Sequence, residues 1–513
     1  MGDRPRVLRS RAGRAAPGAR QGLTQVVGQS VRKAMGLAVA LAVGLAVGGA
    51  TGCSFNQATG KLQLTTISES EEAQLGREHD EQVVEVLGLY DDKTLAGLVQ
   101  QIGSSLAAQS ERPGLPWTFR VLDDPTVNAF ALPGGYVYVT RGLLVHLSSE
   151  HELAAVLGHE IGHVTARHGV VQLRKSRVAA ASVGVFRVID PNLRHVGGLA
   201  ASTAGLALLK HSRDDEYEAD SLGLRYAERA GFTPAATVGV FDMLLRVSEA
   251  ESSERVPDWL STHPDPELRR TRVRSMTKGE VPGPEPEFLA RLDGVVYGQD
   301  PRAGFIIEST FVHPRAGFRV DLPPKWDASH EGPRLLASSE DGQAVLMLTP
   351  TDADSAAEAL DGFFADGSIE RGEQWSGKVG GFAVASAGLS ISTSDGVGMG
   401  LLAFIEYDEV VIAMMALGPA ESWPARSEVV AACFASFRRA ERPLREIEPM
   451  RVRVVELAAP TTLTQVQAQK PSVVELSRLA LLNGFPAEQE LPAGTLVKRV
   501  DGLLPTAPAK PRQ

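Results

Sequence analysis

The segment Gly158-His159-Glu160-Ile161-Gly162-His163-Val164 carries two histidines four residues apart, with a glutamate directly after the first. Apolar residues recur around it at helical spacing, and Ser149 with Glu152 forms a Ser-x-x-Glu capping box at the predicted helix start. Residues i and i+4 lie on one face of a helix, so both imidazoles can reach the same Zn²⁺. Glu160 lies beside them, where its carboxylate can move a proton from metal-bound water to a leaving amine. The segment therefore predicts a zinc site rather than two structural histidines on a solvated face.

A catalytic zinc needs a third protein ligand and an open fourth position. His168 follows His163 by five residues, which predicts that it lies off the ligand face. A later predicted helix begins with a cluster of acidic residues, in which Glu216 and Asp220 are four residues apart. One of these two could bind the metal while the other accepts a hydrogen bond from a ligand imidazole. Spacing alone does not separate Glu216 from Glu218 as the ligand.

Together these motifs resemble a known family. The segment 158–164, followed by Glu216-x-x-Ala219-Asp220, looks like the gluzincin family of CAAX prenyl endopeptidases and the bacterial heat-shock membrane protease. The segments Asn128–Gly135 and Leu292–Gly298 look like the soluble periplasmic branch of that family. The resemblance covers about residues 68–310.

The resemblance implies roles for particular residues. It implies one Zn²⁺ per chain with Glu216 as the third ligand, and it implies that Asp220 supports catalysis. It also implies a sheet edge to which an extended substrate peptide adds as a further strand. That edge is formed by Asn128, Ala129, Phe130 and Ala131. In Ser261-Thr262-His263-Pro264, His263 matches a family position that caps the zinc, and the alternative is a surface-loop histidine before a helix. Arg269 matches a recurrent family arginine whose role the sequence does not supply.

Composition and charge limit the classes of protein that the sequence allows. At 513 residues and 43% hydrophobic content, the chain is long enough for about three domains. Its net charge of −10 argues against nucleic acid as a partner, because phosphate binding needs a basic surface. The two cysteines are Cys53 and Cys433, so a disulfide framework is excluded. Cys433 lies in an apolar run and is predicted to be buried.

The first 53 residues predict an export signal. Arg32 and Lys33 precede an uncharged run, Met35–Gly52, that ends in small residues. Small residues directly before Cys53 resemble a bacterial lipobox, in which the cysteine is lipidated. The alternative is an uncleaved transmembrane helix, because the run just reaches spanning length. Either reading predicts a periplasmic protein anchored to a bacterial membrane, and Ser54 favours the outer membrane.

The rest of the chain predicts an α+β multidomain protein with a mainly helical zincin-type domain. Asn128–Thr140 predicts a hairpin with Pro133–Gly135 at its turn, and the apolar region 178–209 predicts buried core helices. Segment 450–500 resembles a degenerate LysM module, a fold that often contacts cell-wall glycan. The predicted divisions are a signal sequence (1–53), a tether (54–67), a zinc metallopeptidase domain (68–299), a small α+β domain of unknown role (300–445), a LysM-like segment (450–500) and a disordered tail (501–513).

These predictions combine into a zinc-dependent endopeptidase with Glu160 as general base and acid. The expected substrates are extended or misfolded envelope proteins, because the site would recognise backbone and is tethered to a membrane. An alternative uses the same residues: an envelope assembly factor or chaperone whose protease site is latent because His263 occupies the fourth position. A third reading is a cell-wall-associated binding protein that acts through residues 450–500.

Overall fold

The computed structural model describes residues 52–65, 67–172, 211–250, 259, 262–331, 334–365, 367, 369–393 and 396–502. The predicted signal sequence up to residue 51, the apolar region 178–209 and the tail beyond residue 502 lie outside the described residues. The side chain of Cys53 also lies outside them, so its lipidation stays a prediction. Within the described part of the chain, no helix combines the length and apolar character that crossing a membrane requires.

The helices of the N-terminal part surround the H-E-x-x-H segment. In chain order they are α1 (Glu69–Leu87), α2 (Lys93–Ala107), α3 (Arg141–Leu144), α4 (Glu150–Ala166), α5 (Arg213–Arg229), α6 (Ala236–Ala250), α7 (Pro266–Met276) and α8 (Pro286–Arg291). The strands of the same part are β1 (Gly52–Asn56), β2 (Lys61–Thr65), β3 (Thr118–Leu122), β4 (Ala129–Leu132) and β5 (Tyr136–Thr140).

Strands β1 and β2 form a hairpin within the stretch predicted to be a tether. Its turn is specified locally, because Asn56 Oδ1 accepts hydrogen bonds from the N–H groups of Ala58 and Thr59. Gly60 completes the turn at φ +68°. Local turn chemistry therefore specifies a hairpin in this part of the chain.

The predicted hairpin at Asn128–Thr140 is present as β4 and β5. These strands pair antiparallel with Ala131 opposite Val137, and Gly134 and Gly135 turn the chain at φ +88° and +99°. Strand β3 pairs parallel to β5 on the other side, which gives the order β3-β5-β4. Strand β4 is consequently an edge strand of this sheet.

Helix α4 is buried on all sides. The side chain of Ser149 accepts from the Glu152 N–H as predicted, but Glu152 Oε2 accepts from the Ser148 N–H at 2.6 Å, so the capping box is shifted by one residue. Every residue from Leu153 to Ala166 is buried, because α2, α5, α6 and the sheet pack around this helix. The H-E-x-x-H segment therefore lies in the core rather than on a solvated face.

Small residues let α5 approach α4 closely. A Cβ atom on Gly162 would lie 2.8 Å from the Ala219 carbonyl oxygen, and one on Gly223 would lie 2.9 Å from the Gly158 carbonyl carbon. Such distances leave no room for larger side chains at these positions. The close packing matters for the site because α5 carries Glu216 and Asp220.

Residues 301–445 form a mixed α+β region, in agreement with the predicted fold class. Its helices are α9 (Ala356–Phe363), α10 (Trp423–Ala435) and α11 (Arg442–Arg445). Its strands are β6 (Phe305–Ile307), β7 (Thr310–His313), β8 (Phe318–Asp321), β9 (Asp327–Glu331), β10 (Arg334–Ser338), β11 (Val345–Thr351), β12 (Glu370–Val379), β13 (Phe382–Thr393), β14 (Gly396–Tyr407), β15 (Val410–Pro419) and β16 (Arg438–Arg439). They form a seven-stranded sheet in the order β12-β13-β14-β15-β11-β10-β9 and a four-stranded sheet in the order β16-β8-β7-β6. Cys433, on α10, is buried as predicted.

The C-terminal segment contains two helices between two strands. These elements are β17 (Arg451–Glu456), α12 (Leu463–Gln469), α13 (Leu476–Asn483) and β18 (Leu496–Asp501), and the two strands pair antiparallel. Helix α12 begins with a capping box formed by Thr462 and Gln465. The segment packs into the same core as α4, because Val452 and Val500 belong to that core and the buried Lys498 Nζ donates to the carbonyls of Val145 and Leu147.

Candidate metal centre

Four buried side chains, called the donor set below, bring one donor atom each to a common point, called the donor point. His159 and His163 come from α4, Glu216 comes from the first turn of α5, and His263 comes from the residues just before α7. Their donor atoms all lie within 4.8 Å of one another. His263 is 1% exposed, so it is not the surface-loop histidine that the sequence left open as an alternative. The structure therefore brings together all the metal-ligand candidates chosen from the sequence.

The spacing of these donors fits zinc. His159 Nε2 lies 3.0 Å from His163 Nε2 and 3.3 Å from His263 Nδ1. Glu216 Oε1 lies 3.0 Å from His263 Nδ1 and 3.4 Å from His163 Nε2. Ligands bound about 2.0–2.2 Å from a tetrahedral zinc are about 3.3–3.6 Å apart. Nitrogen and carboxylate donors are the ligand types that zinc takes, and their separations of 3.0–3.4 Å are close to, and partly shorter than, this tetrahedral spacing.

Glu160 lies beside this donor set without a hydrogen bond. Its Oε1 is 3.7 Å from His263 Nε2, and this buried atom has no hydrogen-bond partner among the described residues. Burial raises the pKa of Glu160 above its ordinary value. A raised pKa suits a carboxylate that must accept a proton and then release it near neutral pH.

Glu216 is held in its charged form. Burial alone would raise the pKa of Glu216, but electrostatic interactions with His263 and Arg269 hold it well below its ordinary value. Burial lowers the pKa of His163 well below its ordinary value. A carboxylate and a neutral imidazole are the forms in which these side chains bind a metal.

Asp220 and Arg269 contact residues of the donor set and orient them. Asp220 Oδ1 lies 3.0 Å from His159 Nδ1, so the carboxylate orients this ring and does not face the donor point. Arg269 donates two hydrogen bonds to Asp220, from Nε at 2.9 Å and from Nη2 at 2.7 Å, and also pairs with Glu216. The structure thereby gives Arg269 the role that the sequence could not supply, which is to fix two buried carboxylates at once.

The other ligand ring has histidine neighbours. His163 Nδ1 lies 2.9 Å from His168 Nδ1, and His168 Nε2 lies 3.2 Å from Glu218 Oε2. This contact separates the two acidic candidates, because Glu218 faces His168 while Glu216 faces the donor point. His211 stacks on His163 with ring centroids 3.9 Å apart. His168 is off the ligand face, as predicted, yet it still touches a ligand.

The predicted substrate strand lies near this centre. Asn128 precedes β4, and Ala129, Phe130 and Ala131 belong to it. A small gap is lined by residues of both the strand and the metal centre. Its lining includes Ala131, Leu132, Pro133, His163 and His211. The edge strand and the candidate ligands therefore border the same space.

Sequence reasoning missed two residues of the site. His211 lies outside every motif, and only its position beside the capping residue Ser212 connects it to α5. Trp259 stacks on His263 with centroids 4.6 Å apart and also lies against Arg269. No local signal marks His211, because it reaches His163 through tertiary packing of distant segments. Trp259 lies only four residues before His263, a spacing at which two side chains of a helix meet.

A helix that supplies two imidazoles, with a carboxylate from a later helix, defines a zincin-type metallopeptidase site. Residues 94–277 match the model of Peptidase family M48. The match contains His159, Glu160, His163, Glu216 and His263. It therefore covers the whole donor set described above.

Relatives with this region carry protease names. The chain is 30% identical over 239 residues to the "Beta-barrel assembly-enhancing protease" of Escherichia coli (strain K12), covering 44% of this chain and 49% of that protein. It is 33% identical over 180 residues to "Mitochondrial metalloendopeptidase OMA1" of Arabidopsis thaliana, covering 35% of each. The chain thus spans about half or less of the length of these curated relatives. Cyanobacterial PsbP (CyanoP) from Synechocystis sp. PCC 6803 covers 26% of this chain and 95% of its own at 10% identity, but its TM-score of 0.22 is too low to indicate a common fold.

Proposed function

We propose that this chain is a zinc-dependent endopeptidase that acts on extended or misfolded envelope proteins. One observation supports this proposal above all: His159, His163 and Glu216 direct their donor atoms to one buried point, and Glu160 lies beside it with an unpartnered oxygen. The match of residues 94–277 to the model of Peptidase family M48 supports the same reaction class.

The residues present supply a complete hydrolytic apparatus. A zinc ion held by His159, His163 and Glu216 supplies Lewis-acid chemistry toward a peptide carbonyl. Glu160 takes a proton from the attacking water and delivers it to the leaving amine nitrogen. Asp220 and Arg269 keep the His159 ring and the Glu216 carboxylate oriented throughout.

The expected substrate follows from the edge strand β4. Among the described strands, β4 pairs only with β5, and we expect its other edge to accept an extended peptide. Pairing to a strand edge uses main-chain hydrogen bonds and leaves side-chain choice loose, which suits unfolded polypeptides. The name of the Escherichia coli relative refers to β-barrel assembly, and we extend this to barrel proteins as one substrate class.

The proposed location is the periplasm, with attachment to a bacterial membrane through Cys53 and the outer membrane favoured. Glycan contact by residues 450–500 forms a separate part of the proposal. The strand-helix-helix-strand order of this segment supports it. Val452, Leu481 and Val500 pack into the peptidase core, so only the opposite surface of the segment is available for glycan.

A second candidate function has its own supporting observation. His263 Nδ1 lies 3.0 Å from Glu216 Oε1 and 3.3 Å from His159 Nε2, which is the fourth corner of the donor set. With His263 bound there, no position remains open for substrate. The protein would then act mainly as an envelope assembly factor or chaperone, with a protease site that is latent until His263 moves away.

The test measures cleavage of unfolded casein by the purified wild type and three variants. Glu160→Gln should bind about one zinc, as the wild type does, and lose cleavage. Glu150→Gln, a matched change in the first turn of the same helix, should cleave like the wild type. His263→Ala should cleave faster if His263 caps the metal.

The outcomes separate the two candidate functions. Cleavage by the wild type that is lost in Glu160→Gln supports the endopeptidase. Cleavage only by His263→Ala supports the latent site. Equal cleavage by the wild type and Glu160→Gln would show that Glu160 is not the general base.

A further inference from the structure

The side of His163 that faces away from the donor point makes contacts that the proposed reaction does not use. His163 Nδ1 lies 2.9 Å from His168 Nδ1, and His168 Nε2 lies 3.2 Å from Glu218 Oε2. His163 and His168 are 3% and 4% exposed, so water does not compete for these contacts. A ligand, a second histidine and a carboxylate thus form a continuous chain.

The donor point fixes the direction of every hydrogen bond in this chain. His163 Nε2 faces the other donor atoms, so a metal there takes its lone pair and the ring hydrogen must be on Nδ1. His163 Nδ1–H therefore donates to His168 Nδ1. A neutral imidazole that accepts at one nitrogen carries its hydrogen on the other, so His168 Nε2–H donates to Glu218. Each ring has only one tautomer that satisfies all the contacts.

A second metal ion is the competing explanation for this cluster. The ring nitrogens of His163, His168 and His211 lie within 4.8 Å of one another. However, the rings of His163 and His211 are stacked, with centroids 3.9 Å apart and planes inclined by 24°. Imidazole lone pairs lie in the ring plane, so two stacked rings do not direct them at a common ion. The geometry favours a packing role for His211 against the face of His163.

We propose that His168 and Glu218 are positioning residues that hold His163 in the tautomer and orientation required for metal binding. His211 restrains the same ring by stacking. This inference rests on the proposed function only through the assignment of His163 as a ligand. Removal of such a supporting partner typically lowers metal affinity by about 10- to 100-fold.

The experiment measures zinc stoichiometry and the zinc dissociation constant of the full chain by competition with a chromogenic chelator. His168→Phe keeps an aromatic ring and removes both hydrogen bonds. Glu218→Gln keeps the shape of a side chain that is 18% exposed and removes its charge. Glu228→Gln, an exposed change on the same helix α5, is the matched control. Melting temperatures in EDTA show whether each variant folds without metal.

We expect one zinc per wild-type chain, and a dissociation constant raised about 10- to 100-fold in His168→Phe and Glu218→Gln. Glu228→Gln should bind zinc like the wild type. Glu218→Gln should keep its melting temperature in EDTA, which a general structural role would lower.

Two results would overturn this inference. One is unchanged zinc affinity in both variants. The other is two zinc ions per wild-type chain with one lost in His168→Phe, which would establish a second metal site. A wild type that binds zinc and shows the predicted affinity losses, yet never cleaves casein, would refute the endopeptidase and leave the positioning role intact.

Discussion

Replacing Gly162 by alanine would separate the two helices that carry the donor set. The added Cβ would lie 2.8 Å from the Ala219 carbonyl oxygen and 3.0 Å from the Ala219 Cα, both backbone atoms of α5 that cannot rotate away. Restoring ordinary van der Waals contact requires the helices to move apart by about 0.5 Å. Metal–ligand distances tolerate about 0.2 Å, so Glu216 would no longer fit a metal held by the two histidines.

The expected effects are a loss of stability and a loss of zinc affinity. Overpacking a core contact costs about 1–3 kcal/mol, to be measured as the free energy of unfolding in urea with EDTA present. The zinc dissociation constant should rise in the same variant. Because bound ligand adds stability in proportion to the logarithm of its concentration over its dissociation constant, zinc should stabilise Gly162→Ala less than the wild type.

Gly97→Ala is the matched control for this prediction. Gly97 also lies within a helix, α2, but a Cβ there would have no atom within 4 Å. Alanine at such a position should raise the free energy of unfolding by about 0.4–1 kcal/mol and leave zinc affinity unchanged. If Gly162→Ala kept wild-type stability and zinc affinity, close helix contact would not be what sets the geometry of the site.

Two further predictions concern buried charges. Arg269→Met should lower the free energy of unfolding in EDTA by about 3–5 kcal/mol, because it leaves the carboxylates of Glu216 and Asp220 buried without their cation. A loss under about 1 kcal/mol would contradict the role of Arg269 in neutralising these two carboxylates. Burial alone would raise the pKa of Asp300, but hydrogen bonds from Arg302 hold it below its ordinary value, so its stabilising effect is lost as pH falls through the folded-state pKa. Asp300→Asn should therefore be less stable than the wild type in urea at pH 7, and this difference should shrink as the pH is lowered and Asp300 becomes protonated.

Local patterns predicted the parts of the site that are specified locally. Histidines at i and i+4 define one helix face, and Pro133–Gly135 defines the hairpin turn, so α4 and β4–β5 followed from the sequence. These features depend on residues fewer than five positions apart.

Features that depend on tertiary packing were not predictable in this way. The sequence alone did not distinguish Glu216 from Glu218 as the metal ligand, and the family resemblance was needed to choose between them. In the structure, the orientation of α5 against α4 directs Glu216 toward the donor point and Glu218 toward His168. His211 lies 48 residues from His163, and Arg269 lies 53 residues from Glu216 and 49 from Asp220, so no periodic pattern connects them. The packing of the C-terminal segment into the peptidase core was not predicted either, because it also depends on contacts between distant parts of the chain.

The most direct test of the central claim is the zinc content and zinc affinity of Glu216→Ala, measured against the wild type. Asp214→Ala, an exposed acid in the same first turn of α5, serves as the control. The donor geometry predicts about one zinc per chain in the wild type and the control, and a loss of at least about 100-fold in affinity for Glu216→Ala. Zinc bound equally well by Glu216→Ala would contradict the proposed metal centre and with it the hydrolytic function.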